Sequence, residues 1–359
     1  MKRQKPEGRA GIKQIADALG VSIGTVDRAL HARQGVSAKT RERVMKMAQK
    51  LNYTPNVAAR NLKLNRHFRI GVFLPEQIAS FFDPLREGIR AAQSAGADVE
   101  VAFHSYPRLG EGDLEAMKAN KWRQYDGIIL APGNPARMTS ICLEAKDENK
   151  PVVFVATDAS GAHKLTSIAV ESTISGGIAA ELLGRLVPAP GQVAVITGDL
   201  AIHDHAGKLG GFAAALATLA PHLSMAPVIQ THELAKEAHE ATWRLLSEYP
   251  KLGGIYINTA NSAPVIHALS ESRQDLRVKV IATDFFTEMA QWIESGQVFA
   301  TLHQRPFTQG RMAFEALSRY LVLGRAPQSA IRLAPHLVLR SNLSLFLDSY
   351  TLGRRESEF

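Results

Sequence analysis

From residue 67 onward one unit recurs along the chain: a short apolar run rich in Val and Ile, then an amphipathic stretch with helical spacing. The apolar runs fall at 69–74, 98–103, 127–131, 151–156, 192–197, 228–231, 254–257 and 279–282, and the helical patterns near 82–95, 111–120, 136–148, 173–187, 206–219, 236–248, 261–271 and 287–294. Strands that alternate with helices form parallel sheets covered on both faces. Eight such runs over nearly 300 residues predict two sheets, hence an α/β body of two doubly wound lobes. Ligands of such sheets sit beyond the carboxyl ends of the strands, so two lobes facing one another make a cleft.

The first 67 residues have a different texture. They hold 15 Lys/Arg against 4 Asp/Glu, leaving 27 basic and 30 acidic residues for the rest of a chain whose net charge is +8. A basic module on a slightly acidic body points to a partner with a phosphate backbone. A solvated basic tail is the plain alternative, and the helical periodicity of this segment opposes it. Ile12, Ile15, Ala16 and Leu19, then Val21, Val26, Ala29 and Leu30, mark two short amphipathic helices broken at Gly20. Ser22 is placed to cap the second, and Ser37 caps a third helix that runs to about Leu51. Pro55 disfavours helical geometry at Thr54 and can start a further short helix over 56–63. That helix is marginal in water and makes sense inserted in a minor groove, with Leu62 as a wedge between base steps.

The runs IKQIADALGVSIGTVDRAL, VSAKTRERVMKMAQKLNYTPNVAARNLK and IGVFLP resemble the LacI/GalR family of bacterial repressors, over the whole headpiece and more loosely over nearly all the rest. The resemblance implies an all-α helix-turn-helix headpiece (1–54), a hinge helix and linker (55–66), and a bilobal body like a type I periplasmic binding protein (67–350). In that body lobe 1 takes about 67–167 plus 305–333 and lobe 2 about 168–304 plus 334–350, followed by a polar tail (351–359). It places a recognition helix in the major groove from Ile23 to about His31. Ser22, Ile23, Gly24, Thr25, Asp27 and Arg28 become DNA-contacting candidates there, joined by Asn56, Ala58, Ala59 and Leu62 of the hinge. Arg28 has two readings, a bidentate contact to guanine or a phosphate contact that positions without specifying. Asp27 departs from the usual serine of the family; it either orients Arg28 or accepts from a cytosine amine.

For the cleft, the resemblance implies effector contacts from Phe81, Phe82, Asp158, Lys208, Asn261, Asp284 and Gln304. Polar side chains that pair with hydroxyls, beside aromatic faces that pack on C–H groups, are what sugar recognition requires. Lys208 and Ala206 stand where relatives carry arginines, and lysine supplies a point charge instead of a planar fork. Plainer roles compete: Asp284 and Asn261 as helix caps, Phe81 and Phe82 as core.

Other chemistry lacks its motifs. Gly207-Lys208 is followed by Leu209 and preceded by Ile202 where a phosphate loop needs glycine. His203-Asp204-His205 reads as a polar cleft loop before it reads as a metal site, and Glu111, Asp113 and Glu115 read as a solvated helix start. The single cysteine, Cys142, lies in an apolar-periodic stretch and reads as a buried structural thiol. No cofactor, metal or catalysis is expected, and neither is a membrane span or secretory signal, which places the chain in the cytoplasm. The expected partners are a pseudo-palindromic double-stranded DNA operator, a sugar or polyol effector and a second copy of the chain in a homodimer. Alternatives are a DNA-bound regulator with a non-sugar or lost ligand, and a sugar-binding protein of the transport type.

Overall fold

The computed structural model describes residues 11–30, 33–51, 53, 67–95, 99–133, 135–274 and 277–351. Its contacts divide the chain into Met1–Arg66 and His67–Phe359.

In the first unit, helices Ile12–Leu19, Ile23–Leu30 and Ala38–Lys50 bury Ile15, Ala16, Val26, Ala29, Val44 and Ala48 in one small core. Spacings of three and four put these residues on one stripe of each helix. Gly20 ends the first helix in the left-handed region (φ 65°), a conformation glycine adopts without steric cost. Ser22 Oγ accepts from Thr25 N at 3.0 Å and Ser37 Oγ from Thr40 N at 3.2 Å, so both serines cap their helices. The hinge segment, with Asn56, Ala58, Ala59 and Leu62, lies outside the described residues.

The body carries strands β1 (Phe68–Pro75), β2 (Val99–Tyr106), β3 (Gly127–Leu130), β4 (Val152–Val155), β5 (Thr166–Val170), β6 (Gly191–Thr197) and β7 (Leu223–Met225). They are followed by β8 (Ile229–Gln230), β9 (Leu252–Ile257), β10 (Lys279–Thr283), β11 (Ala300–His303), β12 (Ala330–Leu333) and β13 (His336–Leu339). One sheet runs β12-β5-β4-β3-β1-β2 and is parallel throughout. The other runs β13-β11-β10-β9-β6-β7, with β8 also on β6 and only β13 antiparallel. The central strands of both sheets are buried on both faces. Ile70, Val72 and Leu74 face the layer of Phe82, Leu85 and Phe314, while Phe73 points the other way, toward Met138 and Cys142. Burial pushes the Cys142 thiol up to about 12, consistent with an inert structural side chain.

The chain passes between lobes after β5, after β11 and between β12 and β13. The first crossing thus follows Val170 and not residue 167, because Thr166–Val170 pairs with β4 and extends the first sheet. Strands β5, β7, β11, β12 and β13, and helices Pro306–Leu323 and Leu343–Thr351, go beyond the pattern of eight runs.

Each lobe holds one helix crossing too tight for a Cβ. In lobe 1, helices Ala79–Ser94 and Pro306–Leu323 meet where a Cβ on Gly88 would lie 2.0 Å from Phe307 O and one on Gly310 2.0 Å from Leu85 O. In lobe 2, helices Ser172–Leu186 and His203–Leu219 meet in the same way: Gly176 would strike Lys208 O at 1.9 Å and Gly211 would strike Thr173 O at 2.0 Å. The second crossing fixes the helix whose first turns enter the cleft. Asp113 corrects an expectation: it is buried, not solvated, and its Oδ2 accepts from Gly133 N at 3.0 Å. Glu111 and Glu115 do remain exposed, paired with Arg108 and Arg137. Among the described residues no helix is long and apolar enough to cross a membrane.

Candidate DNA-reading face and effector cleft

On the second headpiece helix Ser22, Ile23, Gly24 and Arg28 are exposed, while Thr25 and Asp27 are half-buried. Val26 and Ala29 of the same helix are in the core, so the helix is held by one stripe and offers the opposite one. Ile23 is 53% exposed, a large apolar side chain left outside the core at the helix start. Ser22 Oγ also lies 2.9 Å from Thr25 Oγ1, which ties both hydroxyls into the cap. The Asp27 carboxylate pairs with Arg33 Nη1 at 3.1 Å. That partner was not foreseen; it holds Arg33 at the end of the helix and partly neutralises a charge that phosphates would repel.

In the body, the carboxyl ends of β1, β4, β6, β9 and β11 converge on a cavity of about 30 Å³. Four of the expected residues line it: Phe81, Phe82, Lys208 and Gln304. Phe81 and Phe82 meet edge to face with centroids 4.9 Å apart and also belong to the lobe 1 core, so both of their readings hold. Lys208 is fully buried. Its ammonium lies 2.6 Å from Asp204 Oδ2, one helical turn away, and donates to Gln304 Oε1 at 2.8 Å. Gln304 in turn donates from Nε2 to Asp284 Oδ2 at 2.7 Å.

The other three expected residues stand off the cavity. Asp284 is buried behind Gln304, in a left-handed conformation (φ 69°). Burial raises its carboxyl above the ordinary value, against the opposing charges of Lys208 and His303 and the bonds from Gln304. It does not cap the helix Thr287–Ser295, which starts at Phe286 without a side-chain cap. Asn261 does not cap either: Ser262 precedes the helix Ala263–Glu271, and Asn261 N donates to Thr259 Oγ1 at 3.1 Å. Asp158 is directed into lobe 1, bound to Lys164 Nζ at 3.0 Å, Arg332 Nη2 at 2.8 Å and Ser167 Oγ at 2.8 Å. Its neighbour Thr157 lines the cavity in its place.

The structure adds Asp204, His205 and Glu233 to the lining. His203, Asp204 and His205 turn to different partners, Ser160, Lys208 and Glu233, instead of converging. His205 Nε2 is 3.3 Å from Glu233 Oε1, with both side chains buried, and Thr259 Oγ1 donates to the same carboxylate at 2.7 Å. A Cβ on Gly198 would lie 2.0 Å from Glu233 Oε1, so glycine there lets the pair form. Glu233 has φ 59° and follows His232 at φ 49°. No periodicity flags that turn, whereas Asp204 and His205 fall in the stretch that reads as a polar cleft loop and line the cavity. Direct bonds span the cleft: Asp204 N to Thr157 Oγ1 at 3.1 Å, Arg108 Nη1 to His232 O at 2.8 Å, and Gln77 Nε2 to Glu233 O.

Comparison with known proteins agrees with both units. Residues 11–56 match the model of bacterial regulatory proteins of the lacI family, and residues 70–326 match a periplasmic binding protein domain. The chain is 22% identical over 329 residues to catabolite control protein A of Priestia megaterium, covering 91% of this chain and 97% of that protein. It is 24% identical over 342 residues to the HTH-type transcriptional repressor PurR of Proteus mirabilis, covering 93% and 97%. An ABC transporter solute binding protein from Agrobacterium vitis, solved with α-D-tagatopyranose, superposes with a TM-score of 0.71 at 20% identity, over 77% of this chain and 96% of that one. That likeness shows the fold of the body. With a regulator's headpiece and a binding protein's body in one sequence, the chain belongs to the lacI family of bacterial regulatory proteins.

Proposed function

We propose that the protein is a transcriptional repressor that binds a pseudo-palindromic operator as a homodimer in the cytoplasm, with its operator affinity set by a small sugar or polyol in the cleft. One observation carries this reading: a lacI-type headpiece and a periplasmic-binding-protein body share the chain, each with its own core and its own candidate surface. The headpiece ends near residue 54, the segment to 66 serves as hinge, and the exposed residues Ile23, Gly24 and Arg28 read the major groove. One headpiece covers too little DNA for tight binding, so two half-sites and two chains are needed.

Phe81, Phe82, Lys208, Gln304, Thr157, Asp204, His205 and Glu233 form the effector site. Asp284 positions Gln304 from behind. The effector acts only through its difference in affinity between the two arrangements of the lobes, and this difference is the coupling to the hinge.

Selection of genomic DNA fragments on the full-length protein tests the first half. A repeated, two-fold symmetric sequence is expected, and its affinity should change when a cleft ligand is added. Retention of fragments without a common sequence, with only a steep salt dependence, would reduce the headpiece to a non-specific basic module.

A further inference from the structure

Resting on the reading of the cleft as the effector site, its hydrogen-bond inventory restricts the chemistry of the ligand. Lys208 is the lysine of the lining, and no arginine lines the cavity among the described residues. An ammonium has three protons to donate. The Lys208 group faces Asp204 Oδ2 at 2.6 Å, Gln304 Oε1 at 2.8 Å and Asn258 O at 3.5 Å, so its donors are directed at the protein.

Acceptors are in surplus. Asp204 is 7% exposed and lines the cavity, and its Oδ1 has no hydrogen-bond partner. Glu233, 2% exposed, holds one hydroxyl proton from Thr259 and the edge of His205, fewer contacts than the roughly four lone-pair sites of a carboxylate. An anionic substituent brought here meets two carboxylates and no uncommitted cationic donor, so its desolvation is not repaid. A ligand hydroxyl or ammonium instead satisfies the orphaned oxygen.

We infer that the cleft takes a small polyhydroxylated ligand with no anionic group, and that Asp204 Oδ1 accepts a hydrogen bond from one of its hydroxyl or ammonium groups. Asp204 is then a specificity residue in two ways: it accepts from the ligand, and it occupies the lysine that would otherwise attract a phosphate or a carboxylate.

The test uses the full-length protein and probes matched in carbon skeleton: D-glucose, D-glucosamine, D-glucuronate and D-glucose 6-phosphate, D-ribose with D-ribose 5-phosphate, and myo-inositol. Thermal melts find binders and calorimetric titration ranks them. The best binder should be neutral or aminated, about a hundredfold tighter than its acidic or phosphorylated counterpart, equivalent to ~2.7 kcal/mol. Glucose against glucosamine tells whether the donor at Asp204 is a hydroxyl or an ammonium. In Asp204→Asn, checked for a cooperative melt, that ligand should weaken about tenfold and the discrimination against the anion should shrink as Lys208 is freed. A phosphate or carboxylate as the tightest wild-type ligand overturns the inference while leaving the cleft as the effector site. So does an Asp204→Asn variant with unchanged affinity and discrimination. If no probe shifts the melt or changes DNA binding, the effector reading itself fails and the inference falls with it.

Discussion

Gln304 grips Asp284 twice, through Nε2 on Oδ2 at 2.7 Å and through its backbone N–H on Oδ1 at 3.1 Å. The aspartate is therefore committed to shaping the glutamine, whose Oε1 then faces Lys208. Burial raises the Asp284 carboxyl above its ordinary 3.8. An acid with a raised folded value binds its proton more tightly when folded. Its stabilising contribution is thus complete below 3.8 and is lost as pH rises through the raised value. In urea melts from pH 4 to 7, wild type should lose ground steadily to Asp284→Asn as pH increases. A stability gap that stays flat across this range would show that Asp284 titrates as it does in the unfolded chain.

Asp158 should slope the other way. Burial alone would raise its carboxyl, but hydrogen bonds from Lys164 and Ser167, the charge of Lys164 and the Ala159 amide outweigh burial and hold it below 3.8. A depressed folded value gives stability that is present above 3.8 and is lost as pH falls through the folded value. Asp158→Asn leaves Lys164 and Arg332 without their shared carboxylate, at a cost of about 1–3 kcal/mol at neutral pH, less than for a fully dry pair because both cations are partly exposed. Urea melts extended into the acid range below pH 4 should show this gap narrowing as pH falls. Undiminished effector binding in the variant would further separate Asp158 from the cleft; lost binding with an unchanged melt would return it to the site.

Much of this architecture is legible because burial on both sheet faces writes itself as apolar runs. The core strands β1, β3, β4, β6, β9 and β10 coincide with such runs to within about two residues. Strand β5 escapes because it begins with the buried polar residues Thr166 and Ser167, and Ser167 meets its partners Arg332 and Asp158 only in the fold. Edge strands β12 and β13 escape because their runs are only four residues long, and β12 is in addition open on one face. In the cleft, Lys208 and Gln304 are legible through their places in a family pattern, whereas Glu233 is not. Its position depends on two consecutive left-handed residues and on the space beside Gly198, neither of which has a period. Asp158 shows the opposite failure: the loop is right, but the side chain one residue away is the one that lines the cavity.

The helix crossing at Gly176 should be unusually intolerant. A methyl there meets Lys208 O at 1.9 Å, a backbone atom of a packed helix that cannot swing aside. Gly176→Ala is expected to cost about 2–3 kcal/mol through overpacking, and to weaken effector binding as well because the struck carbonyl belongs to a lining residue. Gly210 is the control on the partner helix. It is exposed with nothing within 4 Å, so Gly210→Ala should be neutral or stabilising by up to about 1 kcal/mol. Equal effects of the two alanines on the melt would refute a crossing set by close approach.

On the headpiece, Arg28 is exposed on the second helix while Val26 and Ala29 beside it hold the core. Truncating it should therefore leave the melt unchanged and act only on DNA. If its guanidinium reads guanine, Arg28→Ala weakens the selected operator by about 1–3 kcal/mol and relaxes preference at one base pair of each half-site. Binding to unrelated DNA should then hardly change. A phosphate contact behaves differently: all sequences weaken alike and the dependence on salt becomes shallower by about one ion. Binding of wild type and variant to the selected operator and to its single-base variants, each at several salt concentrations, separates these outcomes. A uniform loss across all the sites would assign Arg28 to the backbone and leave specificity to Ile23 and the end of the helix.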